Sequence, residues 1–137
     1  MKKLLFLLMV PMAFLSCGKA GDVVPSVAVN FQAALTDPRF AALNARGGYV
    51  LIANYGVAGL ILYREPDGTY AAYDRCSSYQ PEKHCAVTID ESGFTATDPC
   101  SGSKFSLTDG TPVKAPATKS LRSYYVTVST FEIFVSN

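Results

Sequence analysis

Apolar and polar residues alternate with a period of two over most of the chain, and this regularity sets the expected fold class. In residues 27–32 the odd positions Val27, Val29 and Phe31 are apolar. Near the end, Val126 and Val128 alternate with Thr127 and Ser129, and Phe131, Ile133 and Val135 with Glu132 and Phe134. Successive side chains of a strand point to opposite faces, so each segment would bury one face and wet the other. Turn residues punctuate the strands. Residues 49–53 and 57–64 flank Asn54-Tyr55-Gly56, Asp67-Gly68 leads into residues 70–73, and residues 86–89 and 94–97 flank Asp90-Glu91-Ser92-Gly93. Asn, Asp and Gly at such points supply the backbone angles that tight reversals need. Residues 37–43 are the one helical signal: Asp37 can cap, Pro38 suits the first helical position, and Phe40 and Leu43 share a face. The expected class is all-β, with several short antiparallel strands and one short helix.

The N-terminus departs from this pattern. Met1-Lys2-Lys3 is basic, residues 4–15 are apolar but too few to span a bilayer, and Leu15-Ser16-Cys17 closes the run. It resembles a bacterial lipoprotein signal, which would make Cys17 the acylated first residue of the mature chain. The expected organisation is a signal peptide over 1–16, a lipid-anchored tether over 17–26 carrying Gly21, Asp22 and Pro25, and a domain over 27–137. The location would be the bacterial cell envelope, lipid-anchored and extracytoplasmic. Of the 12 Lys and Arg, only Lys2 and Lys3 fall in 1–16, leaving 10 basic residues against 11 acidic ones. A net charge so near zero gives no electrostatic reason to expect either nucleic acid or an anionic membrane surface as a partner. The expected partners are the membrane, through Cys17, and an envelope protein or ligand that the chain does not specify.

Two segments carry the candidate chemistry. Asp74-Arg75-Cys76-Ser77-Ser78 is followed, 24 residues after Cys76, by Cys100 in Asp98-Pro99-Cys100-Ser101-Gly102-Ser103-Lys104-Phe105. Together they resemble the two metal-holding loops of Rieske 2Fe-2S domains, whose first loop runs C-x-H, often C-T-H-L-G-C, and whose second often runs C-P-C-H-G-S-x-F. Cys76 keeps the first cysteine ligand, whereas Ser78 stands at a histidine, Asp98 at a cysteine and Ser101 at the other histidine. The similarity continues through Ser106-Leu107-Thr108-Asp109-Gly110, Ala115-Pro116-Ala117 and Leu121-Arg122-Ser123-Tyr124-Tyr125. Ala115 and Ser120 replace the family's usual Gly and Pro. Upstream, Val29-Asn30-Phe31, Asp37-Pro38-Arg39-Phe40 and Gly47-Gly48-Tyr49-Val50 resemble small Rieske-like lipoproteins of Bacteroidetes-type bacteria.

The resemblance implies an all-β Rieske-type domain in which loops 76–85 and 98–105 project together from a base of antiparallel sheets. In that family the loops hold a 2Fe-2S cluster for electron transfer. The cluster takes two thiolates and two imidazoles, and three of the four positions here carry something else, so no standard cofactor is expected. The resemblance also implies that Cys85 and Cys100 occupy the family's two bridged, non-ligand cysteine positions; Cys76–Cys100 is the alternative pairing. The implied function is a binding or structural module, the alternative being a residual redox role through a nonstandard cluster on Cys76, Cys85 and Cys100 or through disulfide exchange.

Other chemistry is thin. Cys76, His84, Cys85 and Cys100 would make four metal ligands, but His84 and Cys85 are sequence neighbours and would point apart on an extended chain. His84, beside Glu82 and Lys83, reads as a solvated loop residue. Ser101-Gly102-Ser103 is not a nucleophile motif, and a single His supports no triad. Cys76 next to Arg75 would need a lowered pKa to react, and an unpaired thiol, exposed or half-buried, is the simpler expectation. No enzyme class is indicated. Of the eight tyrosines, most lie in predicted strands, where packing explains them; Tyr79, at a loop tip, stands apart as a candidate binding aromatic.

Overall fold

A computed structural model of the chain describes residues 23–137; Cys17 and the expected signal peptide lie outside the described residues. The described residues form ten strands: β1 (Asn30–Ala34), β2 (Tyr49–Ile52), β3 (Leu60–Arg64), β4 (Tyr70–Asp74), β5 (Thr88–Ile89), β6 (Thr95–Thr97), β7 (Lys104–Ser106), β8 (Pro112–Lys114), β9 (Ser123–Val128) and β10 (Glu132–Ser136). They form two antiparallel sheets, one of six strands ordered β1-β10-β9-β4-β3-β2 and one ordered β5-β6-β7-β8.

Two hydrophobic cores meet on one strand. In β3 Leu60, Ile61, Leu62 and Tyr63 are all fully buried, because its two faces serve different cores. Leu60 and Leu62 join Phe31, Phe40, Leu43, Ile133 and Val135 in one. Ile61 and Tyr63 join Tyr73, Val87, Phe105, Leu107 and Leu121 in the other, where the second sheet packs. A strand covered on both sides reads as an unbroken apolar run rather than an alternation, as Leu60-Ile61-Leu62-Tyr63 does. Strand β10, elsewhere in the six-stranded sheet, alternates, with Ile133 and Val135 buried on either side of half-buried Phe134.

The predicted helix forms over Pro38–Asn44 as a 3₁₀ helix, capped by the Asp37 side chain on Arg39 N. Residues three apart eclipse in this geometry, which stacks Phe40 over Leu43, both buried. A second 3₁₀ turn, Pro81–Lys83, was not anticipated. The predicted three-residue turn at Asn54-Tyr55-Gly56 is longer, since β2 ends at Ile52 and β3 starts at Leu60. The amides of Val57 and Ala58 are spent on the Asp74 carboxylate instead of on a strand partner. Strands β7 and β8 carried no periodic signal, being three residues each.

The topology gathers the candidate residues at one end. β4 ends at Asp74 and opens the first loop; β6 ends at Thr97 and opens the second. β9 begins at that same end, with Tyr73 opposite Ser123 and Asp74 N donating to Arg122 O.

Candidate functional site

The first loop leaves β4 and returns along itself. Cys76 bridges to Ala86 in antiparallel fashion, Ser77 N donates to Cys85 O, and Val87 N donates to Arg75 O. The second loop is a tight reversal in which Asp98 N donates to Ser103 O and Gly102 N to Asp98 O. A Cys85–Cys100 disulfide joins the two loops, with Cα atoms 6.2 Å apart; Cys76 is left as a free, buried thiol.

Asp98 is the hub of the second loop. Its Oδ2 accepts from Ser77 Oγ at 2.7 Å and Ser101 Oγ at 2.6 Å, and its Oδ1 from the Cys100 amide at 2.8 Å. The Ser101 and Ser103 hydroxyls lie 2.9 Å apart, and Ser103 Oγ accepts from Ala117 N, which ties in the segment after β8. Burial pushes the carboxyl toward its neutral form, but the hydrogen bonds from Ser101, Ser77 and the loop amides outweigh it and hold the pKa below the ordinary value. Asp98, Ser77 and Ser103 are fully buried.

A second buried carboxylate sits under the first loop. Asp74 accepts from the amides of Val57, Ala58 and Cys76 and from Tyr124 Oη at 2.8 Å. Burial and this acceptor raise the Tyr124 pKa, so the phenol remains a donor. Gly56 is required here: a Cβ would run into Asp74 Oδ2 and Tyr124 Oη, and its φ of +64° is left-handed. The only ion pairs among the described residues are Arg39–Asp37 and Lys104–Asp90. Both buried carboxylates are therefore compensated by hydrogen-bond donors and not by a paired cation. Asp74, Ser77, Ser103 and Tyr124 were not foreseen as parts of this site; the one available signal was a charged Asp74 closing the apolar strand Tyr70–Asp74.

The other predicted residues fall into place around these hubs. Ser78, only 3% exposed, donates its hydroxyl to Lys119 O at 2.6 Å. The Cys76 thiol lies 3.6 Å from the carbonyls of Ser77 and Pro81. Burial pushes its pKa up to about 11, with the charges of Asp74, Asp98 and Glu82 adding to the effect. Cys76 is thus fully buried, where an exposed or half-buried thiol was expected, and Arg75 does not activate it, since that guanidinium points to Val87 O. Tyr79 packs on the second core instead of standing free at a loop tip.

The four-ligand metal set of Cys76, His84, Cys85 and Cys100 does not assemble. Two of its thiols are spent in the disulfide, and His84 is exposed with a left-handed backbone after the Pro81–Lys83 turn. Cys85, Asp98 and Cys100 do cluster, with their ligand atoms within 4.8 Å of one another, but the bridge holds both sulfurs. Nor do the four positions at which the Rieske loops carry ligands fit a 2Fe-2S cluster. They offer one thiol, one carboxylate and two hydroxyls, and both hydroxyls are already committed to Lys119 O and Asp98.

No protein-family model matches the chain, and no curated protein sequence does. Solved structures do. The plasma-membrane Rieske protein PetC3 from the cyanobacterium Synechocystis PCC 6803 is 24% identical, with a TM-score of 0.56 over 82% of this chain and all of that one. A chain of the complex between oxygenase and ferredoxin in carbazole 1,9a-dioxygenase is 22% identical, with a TM-score of 0.51 over 80% of this chain and 99% of that one. The fold is that of a Rieske-type domain.

Proposed function

We propose that this protein is a lipid-anchored, extracytoplasmic Rieske-like domain whose cluster site is degenerate and whose loop end now serves as a binding or structural module. The observation that supports the loss of the cluster is the environment of Asp98. In place of a thiolate aimed at iron, the position holds a buried carboxylate whose lone pairs are filled by Ser77, Ser101 and the Cys100 amide. The disulfide supplies the clamp between the loops. Such an end keeps its shape without a cofactor and presents a fixed surface for binding.

Iron analysis tests this reading. Protein purified without oxygen and incubated with iron and sulfide is expected to remain colourless and to hold no stoichiometric iron after desalting. About two irons per chain with visible absorption typical of a Rieske centre would overturn it. The anchor is tested separately by intact mass: membrane-extracted protein should begin at Cys17 and carry acyl chains, and an unmodified N-terminus would remove that part of the proposal.

One feature favours a second reading, an electron-transfer role through the disulfide. Cys85 is buried but Cys100 is exposed, so a thiolate reductant has access to one sulfur. Reduction would take two electrons and two protons to give two thiols. Equilibration with a dithiol couple decides it: a midpoint within the range of known dithiol exchange proteins would favour electron transfer, and resistance to reduction below about −300 mV would leave the bridge structural.

A further inference from the structure

The first described residues are not a loose tether. Arg122 donates from Nη1 to Val24 O at 3.1 Å and from Nη2 to Ser26 Oγ at 2.8 Å. The Asn137 side chain donates to Val27 O and accepts from Val29 N, at 2.8 and 3.0 Å. Val24 is buried, so the docked chain reaches back inside the expected tether, and residues 24–29 form a strap fastened at both ends. The strap starts at a particular place. Val23 and Val24 line a cleft with Ser78, Lys119, Ser120 and Arg122, which is the loop end of the domain: Arg122 precedes the start of β9, and its carbonyl accepts from Asp74 N where β4 gives way to the first loop.

We propose that the loop end faces the membrane, with the docked strap holding it against the surface of an anionic bilayer. This rests on the acylation of Cys17. Only six peptide links separate Cys17 from Val23, a reach of at most about 20 Å even when fully extended. The opposite end lies farther off by the length of β9, roughly 17 Å from Ser123 to Val128, plus the hairpin tip at Ser129–Phe131. A short leash attached at one end places that end next to the lipid. The exposed charges there agree with a negatively charged surface, with Lys83, Lys114 and Lys119 against Glu82. Exposed Val23 adds an apolar side chain beside the leash. A soluble partner would then have to approach from the side or from the β9–β10 tip, and the face around Ser78 would be reserved for lipid.

The test uses acylated full-length protein on vesicles of phosphatidylethanolamine and phosphatidylglycerol that carry a headgroup nitroxide. Ser120→Cys and Thr130→Cys each introduce one exposed thiol for a fluorophore, because Cys76 is buried and Cys85 is bridged to Cys100. Quenching should be at least twofold stronger for the label at 120 than at 130. Equal quenching, or stronger quenching at 130, on protein that sediments with the vesicles would overturn the orientation and leave the anchor standing. Protein that stays in the supernatant would overturn the anchor and the orientation together. Adding Arg122→Ala should release Val24 and Ser26, lengthen the leash and bring the ratio toward one. An unchanged ratio in that variant would show that the strap does not set the orientation.

Discussion

The two ends of this molecule are held by different physics. The strand base is an area-driven structure, with Leu60, Ile61, Leu62, Tyr63, Ile133 and Val135 fully buried between and within two sheets. The loop end buries Asp74, Ser77, Ser78, Asp98 and Ser103 instead, and is closed by a disulfide and directed hydrogen bonds. Apolar contacts tolerate small shifts, whereas a buried carboxylate is stable only while its donors stay in place. The loop end is therefore the region where one lost atom changes the local shape, and the base is where lost volume changes overall stability.

The largest expected effect falls on the base. Leu62→Ala should cost about 2–5 kcal/mol by removing a side chain from a fully buried, closely packed site, read from urea unfolding. A smaller loss than that of the disulfide variant would reverse the ranking of the two ends. Next comes the bridge. It closes a sequence separation of 15 residues, so Cys85→Ala with Cys100→Ala should cost about 3 kcal/mol, a Tm drop on the order of 10 °C. Thiol counting in denaturant on protein lacking Cys17 should find one thiol before the substitution, mapping to Cys76; three thiols would mean that the clamp is absent.

Asp98→Asn should cost less in stability, about 2 kcal/mol, because one acceptor is exchanged for a donor facing hydroxyls that already donate. Its signature is local: faster hydrogen exchange at the Cys100 and Ser103 amides with the β1–β10 amides unchanged. Uniform acceleration across both ends would erase the distinction between them. The smallest effect is the acid limb at the edge of the second sheet. Although burial opposes ionisation of Asp90, Lys104, Thr95 and Thr97 hold its pKa down to about 2. A carboxylate with a depressed folded pKa contributes stability above its unfolded pKa of about 4. That contribution should disappear as the pH falls toward 2, and Asp90→Asn should flatten the slope of Tm over this window alone.

The same contrast explains what was legible in the sequence. Alternation at residues 124–136 located β9 and β10, and the turn residues at 54–56 and 67–68 bracketed the segment that holds β3, because the base is built from short strands and reversals that sequence displays directly; that Leu60-Ile61-Leu62-Tyr63 is covered on both faces emerged only from the structure. The Cys85–Cys100 pairing was legible through family resemblance, which also singled out Cys76, Ser78, Asp98 and Ser101. What periodicity could not show was the bonding. Asp74, Ser77, Ser103 and Tyr124 converge from β4, both loops and β9, and their roles exist only after the chain has folded. The docking of Val24 and Ser26 on Arg122, across a separation of nearly the whole domain, is invisible for the same reason.

The central claim is that an ionised, internally satisfied Asp98 closes the two loops. Carbon-detected NMR titration of the Asp98 side-chain carboxyl, in protein with the disulfide intact, measures this directly. The expected midpoint lies below the ordinary carboxylate value of 3.8, because neutralising the group would weaken the bonds from Ser101, Ser77 and the Cys100 amide. A midpoint at or above that value would contradict the claim, since it would mean that burial outweighs those donors and that the loop end is closed by something else.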